Sequence, residues 1–136
     1  MEVGQRIGPF EIERELGSGA MGTVYRARVT DTGQVVALKV IAFGLAGNES
    51  ARKRFEREAA ILKQLRHRHI VRLVATGQWR KTPFFAMEYV DGESLDRAQA
   101  RRGRFSWEEV VRIGIQLCDA LQHAHERGII HRDIKP

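Results

Sequence analysis

The sequence carries one cysteine, Cys118, and so cannot close an internal disulfide, which fits a reducing compartment. Cys118 lies in I-G-I-Q-L-C-D-A-L, an apolar helical pattern that gives it a core position, and no activating partner for a nucleophilic thiol is visible beside it. No stretch approaches 18 apolar residues, so these 136 residues hold no membrane-crossing helix. Met1-Glu2-Val3-Gly4 lacks the basic and apolar regions of a secretion signal. Internal repeats and low-complexity tracts are absent. Aromatic residues are sparse at 7%, and they do not interleave the basic clusters Arg52-Lys53-Arg54 with Arg57, Arg66 to Arg72, and Arg101-Arg102 with Arg104. The net charge of +6 therefore reads as solvated helix faces, and no nucleic-acid partner is expected. What is present, 43% hydrophobic and 29% charged residues, suffices for one globular core without disulfide or metal.

The hydropathy pattern divides the chain. Phe10 to Glu13 alternates and Thr23 to Val29 is rich in β-formers, both strand signals. Asp31-Thr32-Gly33 marks a turn, and the nearly continuous apolar run Gln34 to Ile41 predicts a strand covered on both faces. An antiparallel meander follows. Asn48 or Ser50 can cap a helix reaching about Arg66, with Phe55, Ala59, Leu62 and Leu65 at helical spacing. Val71 to Thr76 and Pro83 to Tyr89 read as two more strands. Past a break at Val90-Asp91-Gly92 the pattern is helical only: a short helix from Ser94, then a long one opened by the capping box at Ser106 to Glu109 and closed at Gly128. Its apolar face carries Val110, Ile113, Leu117, Leu121 and Ala124.

Gly17 to Gly22 spells G-x-G-x-x-G. A dinucleotide-binding turn must open a helix, whereas Thr23-Val24-Tyr25 opens a strand, and there is no G-K-[ST] of a Walker A loop. A glycine flap between antiparallel strands remains, whose N–H groups can meet phosphate oxygens and whose Val24 can cover a flat ring. A hairpin that binds nothing explains this stretch equally well.

Two charges fall where apolar residues belong. Lys39 lies inside V-V-A-L-K-V-I, and a buried ammonium there needs a partner or an anion, unless its stem packs and its amine reaches solvent. Glu58 shares a helical stripe with Phe55, Leu62 and Leu65, where a carboxylate calls for a cation, unless the helix edge is solvated. A Lys39–Glu58 pair would answer both needs and hold the amine ready for phosphates.

Together with His131-Arg132-Asp133-Ile134-Lys135-Pro136, these features resemble the protein kinases. Gly17 to Val24 is similar to the family's glycine loop, Val36-Ala37-Leu38-Lys39 to V-A-I-K, and His131-Arg132-Asp133-Ile134 to H-R-D-L, in the family's order from about residue 10 to the end. The wording G-A-M-G-T-V-Y-R-A and H-A-H-E-R-G-I-I-H-R-D-I-K-P looks most like bacterial serine/threonine kinases of the eukaryotic type.

The resemblance implies an α+β fold: a kinase-like small lobe over 1–89, with a five-stranded antiparallel sheet and one helix, then over 90–136 a hinge and the first helices of an incomplete helical large lobe. It implies ATP as cosubstrate, with Gly17, Ser18, Gly19, Ala20, Met21, Gly22 and Thr23 over its phosphates and Leu16, Val24 and Ala37 around adenine. Lys39 would hold the α- and β-phosphates, oriented by Glu58. Met87 takes the gatekeeper place, Glu88 and Val90 the hinge, and Ser94 a ribose contact. Asp133 would accept the proton of a protein Ser/Thr hydroxyl, and Lys135, the mark of the Ser/Thr class, would face the transferred phosphate. Arg132 implies an activation loop ordered by phosphorylation. The location implied is cytoplasmic, with no membrane segment here and an anchor further along the parent in many bacterial relatives. The runner-up is a non-catalytic kinase-like module that binds nucleotide or scaffolds a partner.

His123, His125 and His131 lack the i, i+4 spacing of a helical zinc pair, so no metal ligands are assigned, and His131 is expected to pack at the junction of the lobes. The family's Mg²⁺ ligands, an Asn two residues past Pro136 and the D-F-G aspartate, do not occur in these residues, nor does A-P-E. Residues 1–136 alone are therefore expected to transfer no phosphate. The check is Mg²⁺-ATP-dependent phosphorylation of a generic basic protein by the purified chain; turnover that Asp133→Asn abolishes would contradict the expectation.

Overall fold

The computed structural model describes residues 2–129. They divide into two compact units, one made of the residues up to Gln64 with Val71–Val90, the other of Leu65–Ile70 with the residues from Asp91 on.

The first unit is an antiparallel sheet of β1 (Arg6–Ile7), β2 (Phe10–Ser18), β3 (Gly22–Val29), β4 (Val35–Ile41), β5 (Leu73–Trp79) and β6 (Thr82–Glu88), with α1 (Glu49–Gln64) between β4 and β5. The strand order is β1-β2-β3-β4-β6-β5. The sheet thus has six strands where the pattern predicted five. The extra one is two residues long and has no alternation to read; its pairing, Arg6 with Glu11 and Ile7 with Phe10, defines it. The first predicted strand also runs on to Ser18, through bulges that break simple alternation between Ile12 and Arg14 and between Glu15 and Gly17. The helix expected to reach about Arg66 ends at Gln64. Its start is capped by Asn48, whose Oδ1 accepts from the Ala51 amide at 3.0 Å. A 3-10 turn, Phe43–Leu45, precedes it.

Paired residues on neighbouring strands face the same side, so register assigns the two faces of the sheet. One face carries Ile12, Tyr25, Ala27, Val36, Leu38, Val40, Phe84 and Ala86 into the main core. The other packs Ile41 and Phe85 against Phe55 and Ala59 of α1. The rings of Phe55 and Phe85 lie 5.1 Å apart, tilted by 46°. Both are almost fully buried, which contributes about 2–3 kcal/mol for each side chain.

In the second unit α2 (Leu95–Arg102) is capped by Ser94 and α3 (Trp107–Glu126) by the predicted box, with Ser106 and Glu109 bonding reciprocally. Gly128, at φ 76°, closes α3: its amide reaches the His125 carbonyl and that of Ile129 reaches Ala124. The 65–70 segment is tied to α3. The Arg66 amide donates to His123 Nε2 at 3.2 Å, and His67 Nε2 lies 3.3 Å from Asp119. Desolvation, and then the nearby positive charge of Arg127, lower the His123 pKa, which favours the neutral ring that can accept from the Arg66 amide. Cys118 is exposed, against the expected core position, as are Val110 and Leu117 of the predicted apolar face. Periodicity marked the stripe, but it is buried only at Ala120 and Ala124 and half-covered at Ile113 and Leu121.

The β5–β6 turn is a two-residue loop between the paired Trp79 and Thr82, with Arg80 at φ 49° and Lys81 at φ 64°. Two positive φ values suit Asn-Gly far better than Arg-Lys. The double substitution Arg80→Asn, Lys81→Gly should stabilise the protein by about 1 kcal/mol, after loss of the Arg80–Trp79 cation–π contact, and raise the thermal midpoint by several degrees.

Candidate functional site

Register brings four of the predicted residues of the first unit onto the α1 face of the sheet. Val24 pairs with Lys39 and Lys39 with Phe85; two residues along, Arg26 pairs with Ala37 and Ala37 with Met87. Val24, Ala37, Lys39 and Met87 therefore share one face. Thr23, paired with Val40, turns its side chain to the opposite one, which leaves only its backbone to the site.

Glu58 reaches this face from α1. Lys39 Nζ lies 2.8 Å from Glu58 Oε1, with 20% of the lysine and 49% of the glutamate side chain exposed. The carboxylate is thus not on a buried stripe, as the spacing suggested. Phe55, Ala59 and Leu62 form the packed face, and Glu58 stands at its edge, turned to the sheet. A pair this open contributes about 0–1 kcal/mol to stability, while removing a lysine from most of its water costs more than that. Folding alone does not account for an ammonium in the middle of β4. Phe85, which sequence reasoning missed, forms a wall beside it, the ammonium lying 5.9 Å from the ring centroid. Its only signal was the register that sets it opposite Lys39, and register is not legible in a single strand.

The glycine loop divides into two parts. A Cβ on Gly22 would overlap the Val40 carbonyl oxygen, so the close approach of β3 to β4 requires glycine there. Met21 is pinned as well: its carbonyl accepts from the Ala42 amide at 2.8 Å, and its side chain packs on the Phe55–Phe85 cluster. Gly17 and Gly19, by contrast, would bring a Cβ into open space, and neither has a positive φ. Ser18 and Ala20 are exposed. The tip is closed by the Gly19 amide bonding the Gly22 carbonyl at 2.9 Å. Leu16 sits at the bulge before Gly17, half-buried.

At the far end of β6, the Glu88 amide donates to the Arg72 carbonyl at 2.8 Å and its carboxylate accepts from the Arg72 amide. Tyr89 is held by Arg14, whose Nη2 is 3.3 Å from the phenol oxygen, and by the Arg26 guanidinium over its ring. Arg26 also pairs with Glu13. Val90 is 64% exposed. Ser94 belongs to the second unit, where its Oγ accepts from the Arg97 amide and caps α2. His131, Arg132, Asp133 and Lys135 lie outside the described residues.

The arrangement offers one oriented cation, an open glycine tip at the end of the neighbouring hairpin, and an apolar strip from Val24 through Ala37 to Met87. Such a set can take an anion at one end and a flat apolar group at the other. Among the described residues, no three His, Cys, Asp or Glu side chains stand together so as to hold a metal ion.

Comparison with known proteins agrees with this geometry. The protein kinase domain model matches residues 10–136. Serine/threonine-protein kinase PknJ of Mycobacterium tuberculosis is 40% identical over 136 residues, covering 100% of this chain and 23% of the relative. Probable serine/threonine-protein kinase PknB of Corynebacterium glutamicum is 39% identical over 131 residues, covering 93% and 20%. The chain thus spans about a fifth to a quarter of the length of these curated relatives. Among solved structures, the Mycobacterium tuberculosis PknI kinase domain superposes with a TM-score of 0.82 at 33% identity, over 100% of this chain and 55% of that one.

The two kinds of glycine should separate on substitution. Gly22→Ala is expected to destabilise by about 2 kcal/mol or more, from the forced backbone shift. Gly19→Ala should stay within about 0.5 kcal/mol of the parent. Chemical denaturation of the two variants checks this; equal losses would contradict it.

Proposed function

The chain belongs to the protein kinase domain family, and on that footing we propose that the Lys39–Glu58 face binds the phosphates of ATP and that the parent protein transfers the γ-phosphate to Ser or Thr hydroxyls of a protein substrate. The observation that carries the proposal is the ammonium of Lys39 held at 2.8 Å by Glu58 on an otherwise apolar strand, where it adds little to stability. Phosphoryl transfer needs positioning and charge neutralisation more than covalent chemistry from the protein, and a fixed cation together with an open loop on the adjoining hairpin provides both in part.

In this reading Lys39 grips the α- and β-phosphates and Glu58 keeps its ammonium from swinging away. The backbone of residues 17–20 closes over the phosphates, its glycines free of any packing duty. Leu16, Val24 and Ala37 enclose the adenine, Met87 forms the back of the slot, and the main chain at Glu88 and Val90 hydrogen-bonds the base. Ser94 contacts the ribose only if it gives up its cap on α2. Asp133 accepts the proton of the attacking hydroxyl, and Lys135 faces the phosphate in flight. Protein kinases generally use Mg²⁺ with ATP, and when bound it shields charge on the transferred phosphoryl group. The family pattern assigns its ligands to an Asn and a D-F-G aspartate that do not occur in these residues. Residues 1–89 would form the nucleotide-binding lobe and 90–136 the hinge and the start of the substrate lobe. No described helix is long and apolar enough to cross a membrane.

Calorimetric titration with ATP and with adenosine tests the reading. Lys39→Met should weaken ATP by roughly ten- to a hundredfold, the loss of one charge-assisted contact, and leave adenosine unchanged. An unchanged ATP affinity in that variant, or no ATP binding by the parent, would favour a scaffold.

A further inference from the structure

The position of Glu58 depends on how α1 sits on the sheet, and α1 is lightly supported. Only Phe55 and Ala59 of the helix are buried, with Ala51 and Leu62 partly buried beside them. Along its flank, between α1 and the β5–β6 hairpin, a hollow of about 370 Å³ is lined by Phe55, Ala59, Lys63, Leu73, Gly77 and Phe84. A helix beside such a hollow can rock on its aromatic contact unless something fixes one end.

Arg52 is placed to do so. Its Nη1 donates to the Ala46 carbonyl at 3.0 Å and to the Lys81 carbonyl at 2.7 Å. The first acceptor lies in the segment leading into α1, and the second in the β5–β6 turn. One guanidinium therefore joins helix, approach and hairpin tip. The Lys81 carbonyl is presented by a residue at φ 64°, next to Arg80 at φ 49°, in a turn that this pair of residues adopts against preference. Arg52 precedes Glu58 by six positions, roughly 9 Å along the helix axis. Phe55, packed on Phe85, lies between them in the helix.

We infer that Arg52 is a positioning residue for the nucleotide site: by clamping the first turns of α1 to the β5–β6 turn through two backbone carbonyls, it sets the approach of Glu58 to Lys39. The inference rests on the reading of Lys39 as the phosphate-binding lysine. Arg52 touches no nucleotide. It acts through α1, so releasing it changes the grip on phosphates and not the slot for the base. Both bonds leave the single Nη1, so a lysine ammonium has enough donors for the two carbonyls, but its shorter stem and lack of a fixed plane let it restore only part of the effect.

The test compares the parent, Arg52→Ala, Arg52→Lys, Glu58→Gln and the double variant Arg52→Ala/Glu58→Gln by titration with ATP and with adenosine. Arg52→Ala should lose about three- to tenfold in ATP affinity with adenosine unchanged, and Arg52→Lys should fall in between. In the Glu58→Gln background Arg52→Ala should cost nothing further, since both act through one pair. Equal losses for ATP and adenosine, or losses that add in the double variant, overturn the inference. Should Arg52→Ala fail to fold, the Arg52→Lys series gives the same comparison. Amide exchange without nucleotide separates the two levels of the reading. Faster exchange across residues 56–60, with β2 to β4 still protected, shows the clamp at work whether or not ATP binds. Unchanged exchange there overturns the clamp even if Lys39→Met abolishes ATP binding.

Discussion

Phe55 of α1 rests on Phe85 of β6 with ring centroids 5.1 Å apart, and this contact fixes where everything else on that face can be. Phe85 stands beside Lys39 in the register and forms a wall next to its ammonium, while Phe55 stands less than one helical turn before Glu58. One buried aromatic pair thus carries the helix that supplies the carboxylate and flanks the lysine that receives it. Met21 packs onto the same cluster and ties the base of the glycine loop to it. Burial of these side chains is worth several kcal/mol. The polar pair they bring together is worth about one at most. Packing does the positioning, and the ion pair is its product.

That ordering of magnitudes also explains the division within the glycine loop. Residues 21 and 22 serve the fold, one by packing and one by letting β3 approach the Val40 carbonyl. Gly17 and Gly19 have no neighbour that a methyl group would disturb. A loop anchored at one side and open at the other leaves room for a ligand at its tip without weakening the sheet. Sequence reading had treated the six residues as one motif, since glycines that serve packing and glycines that serve a ligand look alike in a string of letters.

Much of the fold was legible because its signals are local. The continuous apolar run of β4, the caps at Asn48, Ser94 and Ser106, and the stop at Gly128 each need only neighbouring residues to be read. The motifs were legible too, in the spacing from Gly17 through Lys39 to Glu58. What escaped was set by contacts distant in sequence. Arg6–Ile7 is a strand only because β2 lies beside it. Glu58 is half-exposed because α1 packs through Phe55, Ala59 and Leu62, which leaves Glu58 at the edge of that face. Cys118 is exposed because its apolar surroundings in sequence are not its surroundings in space.

By itself, the sequence determined which residues are of the kind the proposed chemistry needs and the order in which they come: the glycine run, the lysine in an apolar strand, the glutamate on the next helix. It did so because residue type and local periodicity are properties of the chain. Only the tertiary structure decided that Lys39 and Glu58 meet, that Val24, Ala37 and Met87 share their face while Thr23 does not, and that Arg52 spans helix and hairpin. The reason is register. A shift of one residue between β3, β4 and β6 would reverse every side chain on the face, and register is chosen by the packing of both sheet faces at once, which no single segment encodes.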